Sequence, residues 1–348
     1  MLSSQHKTQL VQAAIYAPSA DNSQPFKYRW QADELFLYID KERSGKASDN
    51  RFVLSDIAIG AIIENVVIQA QALLLDSKIT LLPNDHDPYL AARIHFKVNA
   101  TIAKQQSELA QYIEARCTDR RLPFKGPIAP QALADIENCL VDNIASIQIF
   151  NKQHYPQVIP VIQQAESVRF KSEILHQELF STVKFNDNNA EEGMPLPVLA
   201  IERPAQPFFK LMANWQWMKK LNLIGAATML GIRSVKLPIK MSPNLLLISI
   251  KDNDRKSVIN GGRAIQRCWL QATKHGLSVH PYAAPGIFSL GFIDCEKEFN
   301  SSLTEISNRM KSITHNKFGL MFLRIGLVKK TVPYRTRRRQ ASSFQQAD

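Results

Sequence analysis

An α+β fold built from two similar halves is what this sequence predicts. Three observations carry that expectation. Residues 56–77 read as one long, nearly all-apolar helix, a partial echo of it recurs 202 residues later, and a strand follows that helix in each half.

The elements follow in order. LVQAAIYA, 10–17, has helical spacing and stops at Pro18. KYRWQADELFLYID, 27–40, alternates and reads as two strands around a turn. DIAIGAIIENVVIQAQALLLDS, 56–77, is apolar on most sides and belongs inside. ARIHFKVN, 92–99, alternates as a strand, and QQSELAQYIEARCT, 105–118, reads as a helix. PQALADIENCLV, 130–141, is a further helix before the strand SIQIF, 146–150. Helix dominates from 155 to 232, apart from a polar break at 185–195. LLLISI, 245–250, is a short buried strand, 261–277 a helix, and LMFLRIGLV, 320–328, the closing strand.

The echo relates 60–75 to 262–277. Gly60/Gly262, Ile63/Ile265, Gln69/Gln271, Ala70/Ala272 and Leu75/Leu277 are identical. Two amphipathic helices can match by pattern alone; if the match is descent, the chain is an internal pseudo-dimer. The division is then 1–115 and 116–348, with 186–245 as an insertion able to form a lid.

A chain of 348 residues, 45% hydrophobic, can bury a sizeable core. The opening MLSSQHKTQL lacks the apolar run of a secretion signal, and the expectation is no membrane span and no membrane partner. Cys117, Cys139, Cys268 and Cys295 are too scattered for a zinc site or a disulfide framework, which suits a reducing cytoplasm. Net charge is +12, gathered at 116–125 and 329–339. Two separate basic knots suit one small phosphorylated ligand. Aromatic residues do not interleave with them, so nucleic acid is the last partner to expect. No metal site and no acid–base catalytic set is expected.

Four stretches can carry chemistry. Arg116 and Thr118, with Arg120 and Arg121 close by, offer guanidinium and hydroxyl donors to phosphate, or make a solvated basic turn. APSADNSQPF, 17–26, offers Ser19, Asn22 and Gln24 as small polar groups against a flat ligand, or satisfies its own backbone as a turn. GLSVHPYAAPG, 276–286, reads as a loop whose bare backbone admits a planar ring, with His280 and Tyr282 its titratable groups. RTRRR, 335–339, follows a central strand and is anchored near the core, or frays as a tail.

In this order the pieces resemble the flavin-dependent nitroreductase family. The shared features are an Arg-x-Ser/Thr phosphate motif, an A-P-S-x-x-N-x-Q-P loop, a long central helix, a G-[LI]-x-x-x-P loop and a C-terminal basic segment. The likeness spans nearly the whole chain and is nearest to the branch in which two nitroreductase-like halves share one polypeptide. It implies a mostly antiparallel sheet flanked by helices in each half, and one FMN between them. Arg116 and Thr118 would hold the phosphate, with Arg120 nearby. Pro18, Ser19, Ala20 and Asn22 would line the ring and ribityl chain. Pro281, Tyr282, Ala283 and Ala284 would face the ring, and Lys184 is a candidate donor at its N1 edge. Arg337 and Arg339, with Arg335 and Arg338 behind them, would complete the phosphate cage. The implied activity is ping-pong hydride transfer from NAD(P)H to a small-molecule acceptor, in a monomer or homodimer. Two alternatives stand beside it: a flavin-sequestering protein, and a dehydrogenase of a bulky or peptide substrate. Cys117 and Asp119 depart from the family motif, Asp119 by setting a negative charge near the phosphate. Ala283-Ala284 stand where many members carry Glu-Gly.

Overall fold

The Ser3 hydroxyl accepts from the His6 amide at 3.1 Å and caps α1 (Ser4–Ile15). The helix turns Leu10, Val11, Ala14 and Ile15 inward. This is a computed structural model, and it describes residues 1–99 and 108–346. β1 (Phe26–Gln31) and β2 (Glu34–Ile39) form a hairpin, and every second residue of β2 is buried. α2 (Val53–Ala72) starts on Asp49, whose carboxylate accepts from the Leu54 and Ser55 amides at 2.7 and 3.0 Å. β3 (Leu75–Leu81) and β4 (Leu90–Val98) complete an antiparallel sheet of order β1-β2-β4-β3.

The rest of the chain builds a second sheet. After α3 (Pro130–Glu137) come β5 (Ser146–Phe150), α4 (Tyr155–Lys171) and α5 (Glu173–Thr182). A short parallel ribbon, β6 (Val183–Lys184) with β7 (Met194–Pro195), leads to α6 (Gln206–Met212), α7 (Trp215–Leu223), α8 (Ala226–Gly231) and α9 (Leu237–Lys240). This insertion has a small core of its own around Phe180, Met194, Met212 and Met218. β8 (Asn244–Ile250), α10 (Arg255–Lys274), β9 (Ser278–Tyr282), α11 (Ala284–Leu290), α12 (Asn300–Thr314) and β10 (Phe318–Gly326) follow. The second sheet is antiparallel with order β5-β8-β10-β9. In both sheets the spatial order is first, second, fourth, third along the chain.

The two sheets meet through α2 and α10. A side-chain carbon at Gly60 would stand 2.0 Å from the Ile259 carbonyl oxygen, and one at Gly262 would stand 2.2 Å from that of Ile57. Only glycine permits so close a crossing. The two contacts are related by the same offset that relates the helices in sequence. Polar groups lock the crossing. Buried Glu64 accepts from Arg263 at 3.1 Å and also pairs with Arg267, while Gln266 donates to Asn65 at 2.6 Å.

Two chain segments join the two sheets. Thr118 bridges to Val279 on β9, and the Asp119 amide donates to the Val279 carbonyl at 2.8 Å. At the far end, Phe344 stacks on Phe26 with ring centroids 4.5 Å apart, and the Gln346 amide donates to the Tyr28 carbonyl at 2.8 Å. The last residues therefore lie on the first sheet.

Several expectations are corrected. Of the helix expected at 105–118, residues 105–107 lie outside the described residues; the rest is a short 3₁₀ turn, Glu108–Tyr112, followed by extended chain along β9. The stretch 276–286 is not a loop but holds β9 and the start of α11. The helical stretch Ala47–Ala72 is long and apolar enough to cross a membrane by composition, yet 83% of its apolar window is buried in the fold. All four cysteines are free thiols. Among the described residues no group of three or more His, Cys, Asp or Glu side chains could hold a metal ion.

Candidate functional site

Pro18 ends α1, and the next residues take left-handed backbone at Asp21, Asn22 and Gln24 (φ 48°, 58° and 51°). The Ser19 hydroxyl closes this turn by accepting from the Gln24 amide at 2.9 Å. The turn forms one wall of a cleft of about 170 Å³. The chain from Glu114 to Arg120 forms the second wall, and Tyr334 to Arg338 the third. Residues more than 300 positions apart thus share one cavity.

Four guanidinium groups reach it: Arg116, Arg120, Arg335 and Arg338. Among the described residues none of the four has a carboxylate within ion-pair distance; Arg43, Arg121 and Arg169, by contrast, each do. Arg116 is buried. Its Nη2 donates to the Tyr16 carbonyl at 3.2 Å, its guanidinium lies 4.6 Å from the Trp269 ring, and its buried Nε has no partner. Burial first, then the neighbouring Arg338, drives its pKa down to about 9. A buried cation without a counter-ion is costly, and a bound anion would relieve that cost.

Arg120 donates to the Val198 carbonyl at 3.2 Å and contacts the Met194 sulfur at 3.6 Å. Burial lowers its pKa too. Arg338 is spent inward: it donates to the Ile15 carbonyl at 3.0 Å, to Asn22 Oδ1 at 2.7 Å and to the Thr336 hydroxyl at 2.8 Å. It therefore shapes the first wall as well as charging the cleft, and burial lowers its pKa to about 10. Arg335 is exposed and donates to the Glu114 carbonyl at 3.0 Å.

Thr118 and Cys117 also line the cleft, and burial raises the Cys117 thiol pKa. Asp119 does not. Its buried carboxylate accepts from Arg121 Nε and Nη2 at 2.9 and 2.8 Å and from the Ser278 hydroxyl at 2.8 Å. The negative charge feared beside a phosphate is neutralised outside the cavity. Its pKa is lowered: burial opposes this, but the bonds from Arg121 and Ser278 outweigh it.

Of the residues singled out from sequence, the cleft gathers Pro18, Ser19, Asn22, Arg116, Thr118, Arg120, Arg335 and Arg338. Ala20, Lys184, Pro281, Tyr282, Ala283, Ala284, Arg337 and Arg339 are not in its lining. Lys184 sits in the β6–β7 ribbon. Tyr282 is buried, with its hydroxyl donating to the Ser234 carbonyl at 3.1 Å. His280 is half-buried and not in the lining; Arg324 and Arg120 lie near it, and desolvation of the ring holds its pKa well below the usual value. Arg337 is exposed, while its carbonyl accepts from Asn22. Arg339 pairs with Glu192 at 3.0 Å and donates to the Gln24 carbonyl at 2.9 Å. Sequence reasoning missed Tyr16, Asp21, Glu114, Met194, Val198, Tyr334 and Thr336, which also line the cleft.

Residues 191–198 close one side. Asn22 and Gln24 donate to the Glu191 carbonyl at 3.2 and 2.6 Å, and Glu192 accepts from Arg43 at 2.8 Å. With Met194 and Val198 so held, the cleft is smaller than the 300–1,000 Å³ or so of ordinary ligand pockets. The unpaired guanidiniums and the orphaned Arg116 Nε fit an anionic phosphate end. At about 170 Å³ the cleft as it stands is too small for a tricyclic ring beside that phosphate.

No protein-family model matches the chain. Two proteins of Mycobacterium tuberculosis are similar in sequence. One, uncharacterised, is 22% identical over 290 residues, or 83% of this chain; the chain spans only 40% of that relative's length. The other, provisionally named NAD(P)H nitroreductase acg, is 26% identical over 276 residues, covering 77% of each protein. Among solved structures, the FMN-dependent nitroreductase NfnB of Mycobacterium smegmatis in complex with NADPH aligns at 15% identity and TM-score 0.39, over 70% of this chain and 99% of that one. A nitroreductase of Bacteroides fragilis with bound FMN aligns at 12% identity and TM-score 0.37, over 69% and 99%.

Proposed function

We propose that this chain is an FMN-binding oxidoreductase of the nitroreductase type, transferring hydride from NAD(P)H to an acceptor still to be identified. The observation that carries the reading is the convergence of four guanidiniums without carboxylate partners on a cleft walled by Pro18 and Ser19. The similarity to a relative named for NAD(P)H nitroreductase activity supports it. Bound there, FMN would supply a ring able to accept and release hydride. Arg116, Arg120 and Arg335 would neutralise its phosphate, with the Thr118 hydroxyl as a neutral donor. Asn22, whose amide is already bonded to Glu191, Arg337 and Arg338, would fix the wall rather than touch the ligand. Met194 and Val198 would exclude water.

The chain is further proposed to be two nitroreductase-like halves in one polypeptide, dividing near residue 115, with 186–245 as the covering insertion. The shared strand order and the reciprocal Gly60 and Gly262 contacts support this. A second reading, a flavin-sequestering protein with little turnover, is favoured by one observation: Met194 and Val198 stand in the cleft against Arg120. Titrating the flavin-loaded chain anaerobically with NADH and NADPH separates the two. Rapid bleaching of the flavin absorbance supports the oxidoreductase, and unbleached flavin supports sequestration. An Arg116→Ala variant that retains its yellow colour undiminished would refute both.

A further inference from the structure

The insertion also carries a surface that cofactor binding leaves unexplained. From Gln206 to Met241 it holds six Lys or Arg residues and no Asp or Glu. Among the described residues only Arg233 of these six has a carboxylate partner, Glu202. Exposed large apolar side chains concentrate in the same stretch, most sharply at the α7–α8 turn. Leu223 is 86% exposed, Ile224 80% and Met229 70%. Gly225, at φ 91°, makes the sharp turn that sets Leu223 and Ile224 at the tip.

α7 is amphipathic in two senses. Met218 faces the insertion's own core and is fully buried. Trp217, Lys220 and Ile224 recur at i, i+3 and i+7 and so share a face turned outward. The Lys220 ammonium lies 5.1 Å from the Trp217 ring centre, and Trp217 is 48% exposed. Apolar side chains at a tip, an indole beside them and unpaired lysines around them form the pattern of an element seated at a bilayer interface.

We propose that the α7–α8 turn docks this protein on an anionic lipid surface. Leu223, Ile224 and Met229 enter the acyl boundary, Trp217 lies at headgroup depth, and Lys219 and Lys220 meet lipid phosphates. The charge argues for lipid over a second copy of the chain: a two-fold pairing of this face would oppose lysine to lysine with no acid to separate them. The sequence predicts no membrane partner because it shows no long uncharged apolar stretch; a short exposed tip beside Lys219 and Lys220 leaves no such signal. The surface is distinct from the cleft, so the proposal does not depend on the cofactor reading.

The test is cosedimentation of the full chain with phosphatidylcholine vesicles, with and without phosphatidylglycerol. The expected result is binding only to the anionic vesicles, weakened by salt, with Trp217 emission shifted to the blue; a Trp217→Phe control assigns the shift. Each lysine near such a surface contributes about fivefold in partitioning, so K219Q/K220Q should weaken binding about 25-fold. Leu223→Asp with Ile224→Asp should abolish binding, and because both side chains are exposed, circular dichroism should stay native. Absence of binding to anionic vesicles at low salt would overturn the proposal. So would binding untouched by the Asp pair, or a salt-sensitive dimer in sedimentation velocity that the Asp pair dissolves.

Discussion

Replacing Arg116 with methionine should stabilise the ligand-free protein while removing its anion site. Among the described residues the buried Arg116 cation has no counter-ion, and its pKa falls from the ordinary guanidinium range to about 9. At 1.36 kcal/mol for each pH unit, that displacement represents on the order of 5 kcal/mol of unfavourable burial, as an upper bound. The charge recovers part of it. The bond to the Tyr16 carbonyl returns roughly 1.5–3 kcal/mol, and the contact with the Trp269 ring about 1 kcal/mol. Methionine keeps apolar packing against Trp269 without the charge. The net expectation is a gain of roughly 1–2 kcal/mol in ligand-free stability, read by urea unfolding with both proteins stripped of ligand. FMN added in excess should then stabilise the wild type and leave the variant unmoved. If Arg116→Met instead destabilises the ligand-free chain by more than about 1 kcal/mol, the arginine is a structural cation and the reasoning fails.

Other outcomes follow from the same geometry. Gly60→Ala should cost several kcal/mol, on the order of 3 or more, because its methyl meets the Ile259 carbonyl rather than a side chain able to yield; thermal unfolding checks it. Glu192→Gln loses half-exposed ion pairs with Arg43 and Arg339, together worth about 1 kcal/mol, and should speed flavin release roughly fivefold in stopped-flow dilution.

Much of this molecule was legible from periodicity. The strand at 146–150 and the bodies of the two long helices stand where expected, but the first helix ends at Ala72 rather than 77, and periodicity reads the start of β3, at Leu75, as its last turn. β9 was hidden by Pro281, which a central strand would not tolerate; β9 is an edge strand, where a missing amide costs no ladder bond. α12 was overlooked because NSSLTEISNRMKSIT is largely polar and buries only Ile306, Met310, Ile313 and Thr314. The helix expected at 105–118 was carried up to the basic knot, but pairing of Thr118 with Val279 draws the chain out along β9. Which arginines of RTRRR reach the cleft depends on the turn of an irregular chain. Arg335 and Arg338 do so while Arg337 and Arg339 do not, and no periodicity encodes that phase. Tyr16, Met194 and Val198 carry no motif signal; a buried cation with free donors identifies them only once the fold is drawn.

Calorimetric titration of the ligand-free chain with FMN and with riboflavin, which lacks the phosphate, bears most directly on the anion cradle. Two or more charge-assisted bonds to phosphate predict that FMN binds at least about 100-fold tighter than riboflavin, and that Arg116→Met brings the two together. Equal affinities in the wild-type protein would contradict the assignment of Arg116, Thr118 and Arg120 to a phosphate.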